Sequence, residues 1–292
     1  MSGRIGRPYR LSVPSSPVSY LPRTSMPPLR TALLQSSGRP GDVPHNLRLL
    51  ADAARRAAAS GARLLLTSEL FLTGYAVGDR LPGLAEPADG PSADRVARIA
   101  ADHGLAIGLG YPERDGDAVY NAVRLTGPDG TPLAHYRKTH LYGEFETAHF
   151  TPGGEPVVQA ELDGTRLGLL ICYDVEFPET VRAHALAGTE LLLVPTALMR
   201  PYEIVARTLV PARAFESQLH IAYVNRCGPE GEFDFTGLSC LAAPDGTVPA
   251  RAGSGEDLLV ADADRELLGR SRAAHPYLRD RRPGLYGSLT EG

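Results

Sequence analysis

The spacing of apolar positions changes repeatedly along the chain, and each change marks an element. Leu29–Gln35 (LRTALLQ) predicts a strand. Asp42 offers an N-cap, and Asn46–Ala59 then carries apolar residues at helical spacing as far as Gly61. Arg63–Thr67 is a short apolar strand, and a helix follows at about Ala93–His103, stopped by Gly104. Leu105–Tyr111, Val119–Leu125 and Leu133–Arg137 read as strands, with Asp129–Gly130 as the hairpin turn between the last two. Leu167–Cys172 is a continuous apolar strand, Pro178–Ala187 a helix closed by Gly188, and Glu190–Val194 a strand. Val205–Gln218 predicts a helix and Ile221–Val224 a strand. Leu238–Ala243, turned by Asp245–Gly246, and Asp257–Ala261 are the last strands, and the chain from Leu267 reads as basic and irregular. No internal repeat interrupts this order. β–α units interspersed with hairpins predict a single α/β domain with a mixed sheet over residues 26–292.

Residues 1–25 stand apart from that pattern. They hold Arg4, Arg7, Arg10 and Arg23, no acidic residue, and Pro8, Pro14, Pro17 and Pro22, with no helical or strand period. Such a stretch cannot bury enough surface to offset its ordering entropy. The prolines break the amphipathic helix of a transit peptide, and a secretory signal would need an apolar core of about 7–15 residues. The segment reads as a disordered tail, or as a start assigned upstream of a natural beginning at Met26.

Composition narrows the class. The 292 residues are 43% hydrophobic and 22% charged, ordinary values for a globular protein with a large core. The net charge of −4 gives no basic excess for general nucleic-acid binding. No run approaches the roughly 18 apolar residues of a membrane span. Cys172, Cys227 and Cys240 can build neither a disulfide framework nor a recognised zinc spacing, so a reducing, cytoplasmic setting is expected. One count is unusual: of the 30 basic residues only Lys138 is a lysine. Lysine differs from arginine where a compact ammonium is needed, so Lys138 is a candidate functional residue.

Three polar residues follow apolar runs. Glu69 comes after Leu64–Leu65–Leu66, Lys138 after Leu133–Arg137, and Cys172 after Leu167–Ile171. In α/β sheets, ligands bind outside the carboxyl ends of strands, so the three can converge on one pocket. Chemically they form a working set. A thiolate is a nucleophile, a carboxylate can take and return its proton, and an ammonium can hold an oxyanion. A lone cysteine ending an apolar strand is more often a small buried hydrophobe. Cys227 and Cys240 keep that reading.

The segments LLLTSELFLTGY (64–75), YRKTHLYGEFETAHFTPG (136–153) and GLLICYDVEFPE (168–179) resemble the nitrilase superfamily of carbon–nitrogen hydrolases in sequence, order and spacing. The resemblance spans Leu29 to about Asp264. It implies a four-layer αββα sandwich and no cofactor or metal. It further implies a triad of Glu69 as general base, Lys138 as oxyanion stabiliser and Cys172 as nucleophile, with the Tyr173 backbone N–H as second oxyanion donor. A further glutamate that positions substrate and lysine is expected at Glu146, with Glu144 as its competitor. Gly74 and Tyr75 fit the turn after the first glutamate, and Glu179 fits a helix start, where its charge suits the dipole.

The stretches CYDVEFPETVRAHALAG, VPTALMRPYEIVARTLVPARAFESQ and AYVNRCGPEGEFDFTGLSCLAAPDG are similar to small-amide hydrolases of the 5-aminopentanamidase and stereoselective amidase type. The expected reaction is hydrolysis of a small aliphatic carboxamide through a thioester, an ω-amino amide being one such substrate. A nitrilase or an N-carbamoyl-amide hydrolase would use the same triad, and an inactive binding protein could share the fold. Glu176, four residues after Cys172, would favour a cationic group on the acyl part, unless it points to solvent or pairs with an arginine such as Arg182. The resemblance also implies a homodimer or higher homo-oligomer packed through Pro178–Ala187 and Val205–Gln218. The expected partners are an amide and water, with neither nucleic acid nor membrane.

Overall fold

The computed structural model describes residues 27–289, so the expectations for residues 1–25 and Met26 lie outside the described residues. Two six-stranded sheets form the centre. The first runs in the order β14 (Asp257–Ala263), β1 (Leu29–Gln35), β2 (Leu64–Thr67), β3 (Ala106–Asp115), β4 (Ala118–Thr126), β5 (Pro132–Arg137). The second runs β13 (Ala250–Arg251), β12 (Cys240–Ala242), β9 (His220–Asn225), β8 (Leu191–Thr196), β7 (Thr165–Leu169), β6 (Val158–Leu162). Each has three parallel strands at its centre, β1–β2–β3 and β7–β8–β9, with antiparallel strands at both edges. A separate hairpin pairs β10 (Cys227–Glu230) with β11 (Phe233–Thr236).

Strand periodicity explains the layers. On β1 and β2, Leu33, Leu64 and Leu66 join the cluster between the sheets. Their neighbours Ala32, Leu34 and Leu65 point the other way, against Leu47, Leu50 and Ala54 of helix Val43–Ala59 and Val96 and Ala100 of helix Pro91–His103. Leu191–Val194 is buried throughout, as a parallel strand covered on both faces must be. The outer face of the second sheet is covered by helices Pro178–Leu186 and Val210–Ser217 through Val181, Ala185, Val210 and Ala214. The result is the αββα sandwich. Each fully buried leucine contributes about 1.5–3 kcal/mol relative to an exposed one, and the inter-sheet layer holds many.

Several expected boundaries shift. Asp42 caps its helix as expected, accepting the His45 N–H at 3.0 Å. The run read as one strand to Cys172 instead ends at Leu169, and Cys172 opens a 3-10 turn, Cys172–Glu176. Helix Val205–Gln218 begins with a wider π turn over Val205–Leu209. The chain from Leu267 is not irregular: helix Arg265–Ala274 runs through it, capped by Asp264, which accepts the Glu266 N–H at 2.8 Å. Only Leu268 and Ser271 of that helix are buried, so its apolar stripe is too thin to read. Helix Gly143–His149 is a short element of seven residues, below the length at which periodicity declares itself.

One glycine bears directly on the site. A Cβ on Gly110 would lie 2.3 Å from the Ser68 carbonyl oxygen and 3.1 Å from the Glu69 Cα. Its absence lets β3 press against the loop carrying Glu69. Gly110→Ala is therefore expected to cost about 1–3 kcal/mol by overpacking. Urea unfolding would show this as a lowered midpoint, and activity should fall with it because Glu69 moves.

Candidate active site

Glu69, Lys138 and Cys172 come from three loops at strand ends. Glu69 lies two residues beyond β2, and its N–H donates to the Thr196 carbonyl at 3.3 Å, tying the end of the first sheet to the end of β8 in the second. Lys138 directly follows β5; its N–H donates to the Asn121 carbonyl (2.8 Å) and its own carbonyl accepts from Gly153 (2.8 Å). Cys172 has φ of +46°, a left-handed conformation that a non-glycine residue adopts at a cost. This bend turns the chain sharply out of the β7 direction. Tyr173 is the second residue of the turn, where an N–H has no acceptor within the turn itself.

The centre of the site is a buried ammonium between two carboxylates. Lys138 Nζ donates to Glu69 Oε1 at 2.7 Å and to Glu146 Oε1 at 2.7 Å, and all three side chains are within 1% of full burial. Asn121 Nδ2 also donates to Glu69 Oε1 (2.7 Å), while Tyr75 Oη donates to Glu146 Oε1 (2.8 Å) and the Tyr142 N–H to Glu146 Oε2 (2.7 Å). Glu69 Oε2 is buried and has no hydrogen-bond partner among the described residues. Lys138 has three N–H donors and two are used here, so one remains. Glu144, the competing position, is exposed to solvent on the same short helix.

Burial dominates the electrostatics. It pushes the Glu69 carboxyl up to about 7, with Lys138 pulling down and the Glu146 charge pushing up again. Burial alone would weaken the Lys138 ammonium, but the Glu69 and Glu146 carboxylates outweigh it and hold its pKa well above the ordinary value. The Cys172 thiol is pushed up by burial and by Glu69, against the pull of Lys138 and of the Ala197 N–H directed at its sulfur. Cys172, unlike the other two, remains partly accessible. The resting form is a thiol beside a carboxylate whose affinity for protons is raised, which suits a base that acts during attack.

Glu176 ends the turn that Cys172 opens, half-buried, and burial raises its carboxyl pKa, with Lys138 and Arg213 pulling it down. Among the described residues its carboxylate makes no hydrogen bond or ion pair. Arg213 donates instead to the Val175 and Glu176 carbonyls (3.3 and 2.7 Å) and to Glu216. The alternative pairing with Arg182 does not form. Tyr142 lies beside Tyr173 (5.2 Å between ring centroids) and Tyr202 (6.5 Å), giving an aromatic rim near Glu176. Glu179 is exposed in the first turn of its helix. No group of three or more His, Cys, Asp or Glu among the described residues converges as a metal site would need.

Two contributors escaped the sequence reading. Asn121 is one of the polar positions within the strand Ala118–Thr126, and its spacing does not single it out. Asp174, fully buried, accepts from Tyr136 Oη (2.9 Å), Thr139 Oγ1 (2.9 Å), the His140 N–H (2.9 Å) and the Ile171 N–H (3.1 Å). It thereby binds the loop after Lys138 to the turn that carries Cys172. Its position within CYDVE was the available signal, but acceptance from a distant loop has no sequence period.

The family model for carbon-nitrogen hydrolases matches residues 30–273. The chain belongs to the carbon-nitrogen hydrolase family. It is 49% identical to a protein described as a hydrolase in the pqqF 5' region of Pseudomonas protegens, over 90% of this chain and 92% of that one. It is 37% identical to an (R)-stereoselective amidase of a Pseudomonas species, over 90% and 95% of the two chains. Among solved structures, an amidase from Nesterenkonia sp. superposes with a TM-score of 0.81 at 40% identity, covering 90% of this chain and 97% of that one. A variant of that amidase carries the acetamide moiety of fluoroacetamide covalently on its active-site cysteine, and another was solved with butyramide.

Asp174→Ala leaves the Tyr136 hydroxyl and the Ile171 N–H without their buried acceptor, at about 1–3 kcal/mol for each such group. The expected result is a loss of at least about 2 kcal/mol in chemical denaturation, together with a drop in kcat as the lysine and cysteine loops lose their common anchor.

Proposed function

We propose that this protein is a cysteine-dependent amidase that hydrolyses small aliphatic carboxamides to the acid and ammonia through a thioester. The observation that carries the reading is the open oxygen of Glu69. One oxygen accepts from Lys138 and Asn121, while Oε2 is buried with no hydrogen-bond partner among the described residues, and the Glu69 charge acts on the Cys172 thiol.

In the first half-reaction, Glu69 takes the Cys172 thiol proton as sulfur bonds to the amide carbon, and the carbonyl electron pair moves onto oxygen. The remaining Lys138 N–H and the Tyr173 N–H hold that oxyanion. The tetrahedral species collapses, the C–N bond breaks, and protonated Glu69 gives its proton to the leaving ammonia. Water then attacks the thioester, Glu69 takes one of its protons, the C–S bond breaks, and the proton returns to sulfur. Glu146, fixed by Tyr75 and Tyr142, holds the ammonium in place through both halves. A nitrile could enter the same site through a thioimidate, and an N-carbamoyl amide through a carbamoyl thioester. Ammonia release from a side-by-side panel of carboxamides, nitriles and N-carbamoyl compounds ranks these, and no turnover of any would leave a binding protein on this fold.

Cys172→Ala should abolish turnover with the fold intact, and Lys138→Arg should be nearly inactive, because a planar fork cannot replace a point charge between two carboxylates. Near wild-type turnover in Lys138→Arg would contradict the assigned role. The base must be ionised before attack, so kcat/KM should rise about tenfold per pH unit up to a midpoint near 7, set by Glu69. The thiol and the ammonium are both raised, so no fall is expected until above pH 9. Because the charges are coupled, the midpoint belongs to the whole cluster.

The unpartnered carboxylate of Glu176, beside the rim of tyrosines, supports a preference for acyl groups bearing a cation. The ratio of kcat/KM for 5-aminopentanamide over pentanamide should fall about 5- to 150-fold in Glu176→Gln, equivalent to roughly 1–3 kcal/mol. An unchanged ratio would remove Glu176 from substrate recognition.

A homodimer through helices Pro178–Leu186 and Val210–Ser217 is part of the same proposal. A groove of about 790 Å³ lies between them and the C-terminal segment, and Leu186 and Tyr277, which line it, are 49% and 45% exposed. Exposed apolar groups of this size favour association. Light scattering at micromolar concentration should give twice the monomer mass; a monomer would refute it. No helix of the described residues is long and apolar enough to cross a membrane. Three free cysteines support a cytoplasmic setting for the proposed enzyme.

A further inference from the structure

A second buried ion pair lies behind the site and is not part of the reaction just described. Glu230, at the end of β10, is 6% exposed and Arg226 is 1% exposed. Arg226 Nη2 donates to Glu230 Oε2 and to the Ser37 carbonyl, the latter at 2.8 Å. The other oxygen of Glu230 accepts two adjacent backbone N–H groups, Tyr75 at 2.5 Å and Ala76 at 2.7 Å. The carboxylate thus clasps the turn that leads away from Glu69. Gly74 lets it come so close: its φ is +84°, and a Cβ there would lie 2.8 Å from the Pro40 Cα and 2.9 Å from Glu230 Oε1.

The same hairpin also fixes the ring of Tyr75. Phe233 and Phe235 of β11 meet it edge-on at 5.3 and 5.6 Å, and Phe145 stacks on it at 5.2 Å. A ring held at its backbone and on several sides has little freedom left. Its hydroxyl has one described task, the 2.8 Å bond to Glu146 Oε1, the oxygen that also accepts from Lys138. A continuous set of contacts therefore leads from Arg226 and Glu230, through the Tyr75 backbone and hydroxyl, to Glu146 and Lys138.

We propose that Glu230 is a positioning residue for catalysis, acting through Tyr75 on Glu146 and Lys138 rather than on substrate. The inference rests on the amidase reading, in which Lys138 holds the oxyanion. Small displacements of such a donor penalise the transition state far more than the ground state. The effect should therefore fall on kcat and spare KM.

The test measures butyramide hydrolysis for wild type, Glu230→Gln, Tyr75→Phe and the double variant, with thermal unfolding of each. Glu230→Gln and Tyr75→Phe should each lower kcat about 10- to 100-fold, with KM within about twofold of wild type. The double variant should be no slower than the slower single variant, because both act on one hydroxyl. A residue that only stabilises the fold would lower the unfolding temperature without this pattern, and its effect would multiply with that of Tyr75→Phe. If Glu230→Gln fails to fold, Arg226→Lys keeps the charge, loosens the clasp and should give the same kcat-only loss. The proposal is overturned if wild type turns over while the folded variant keeps kcat within twofold, or if the two losses multiply. Absence of turnover in wild type would instead strike at the amidase reading, and this proposal would fall with it.

Discussion

A lysine with no solvent access, held between two carboxylates, is the constraint around which this molecule is arranged. Removing an ammonium and two carboxylates from water costs several kcal/mol for each ion, and their mutual attraction offsets this only if every remaining donor and acceptor is placed well. The placement is visible in the partners: Asn121 on Glu69, Tyr75 and the Tyr142 N–H on Glu146. One donor of the ammonium and one oxygen of a neighbouring carboxylate are left without partners among the described residues, and a buried polar atom left unpaired lowers stability. Lys138 and Glu69 are those groups.

The two-sheet architecture is what makes the arrangement affordable. Glu69 and Lys138 leave the first sheet, Cys172 leaves the second, and the bond from the Glu69 N–H to Thr196 joins the ends of the two. The buried layer between the sheets fixes their separation to the precision of close packing. The Cys172 turn and the Glu69 loop thus come from different sheets held at a fixed separation. Asp174 adds a polar anchor between the Lys138 loop and the Cys172 turn, gathering donors from residues 136 to 171 onto one carboxylate.

That burial also divides the labour among the titrating groups. One environment raises the proton affinity of Glu69 into the neutral range, keeps the thiol protonated at rest and keeps the ammonium charged. The differences come from neighbours rather than depth. Lys138 gains two carboxylates, whereas Glu69 gains one cation and faces a second anion. A carboxylate of intermediate proton affinity can both accept and return a proton near neutral pH.

Much of this was legible in the chain. Apolar period placed most strands and the long helices, and the lone lysine drew attention to Lys138 before any resemblance was considered. The three segments around Glu69, Lys138 and Cys172 named the family to which the chain belongs. What stayed hidden has a common physical origin. Helix Gly143–His149 is too short, and helix Arg265–Ala274 too thinly buried, for periodicity to show. Asn121, Asp174 and Glu230 contribute through hydrogen bonds to residues remote in sequence, and a hydrogen bond leaves no repeat. The choice between Glu146 and Glu144 belonged to the same class: two carboxylates two residues apart, of which the fold buries one against Lys138 and leaves the other in water. The sequence by itself determined which chemical groups are present and which strands carry them. Only the tertiary structure decided which of them lose water together, because desolvation depends on every layer packed around a residue and not on its neighbours along the chain.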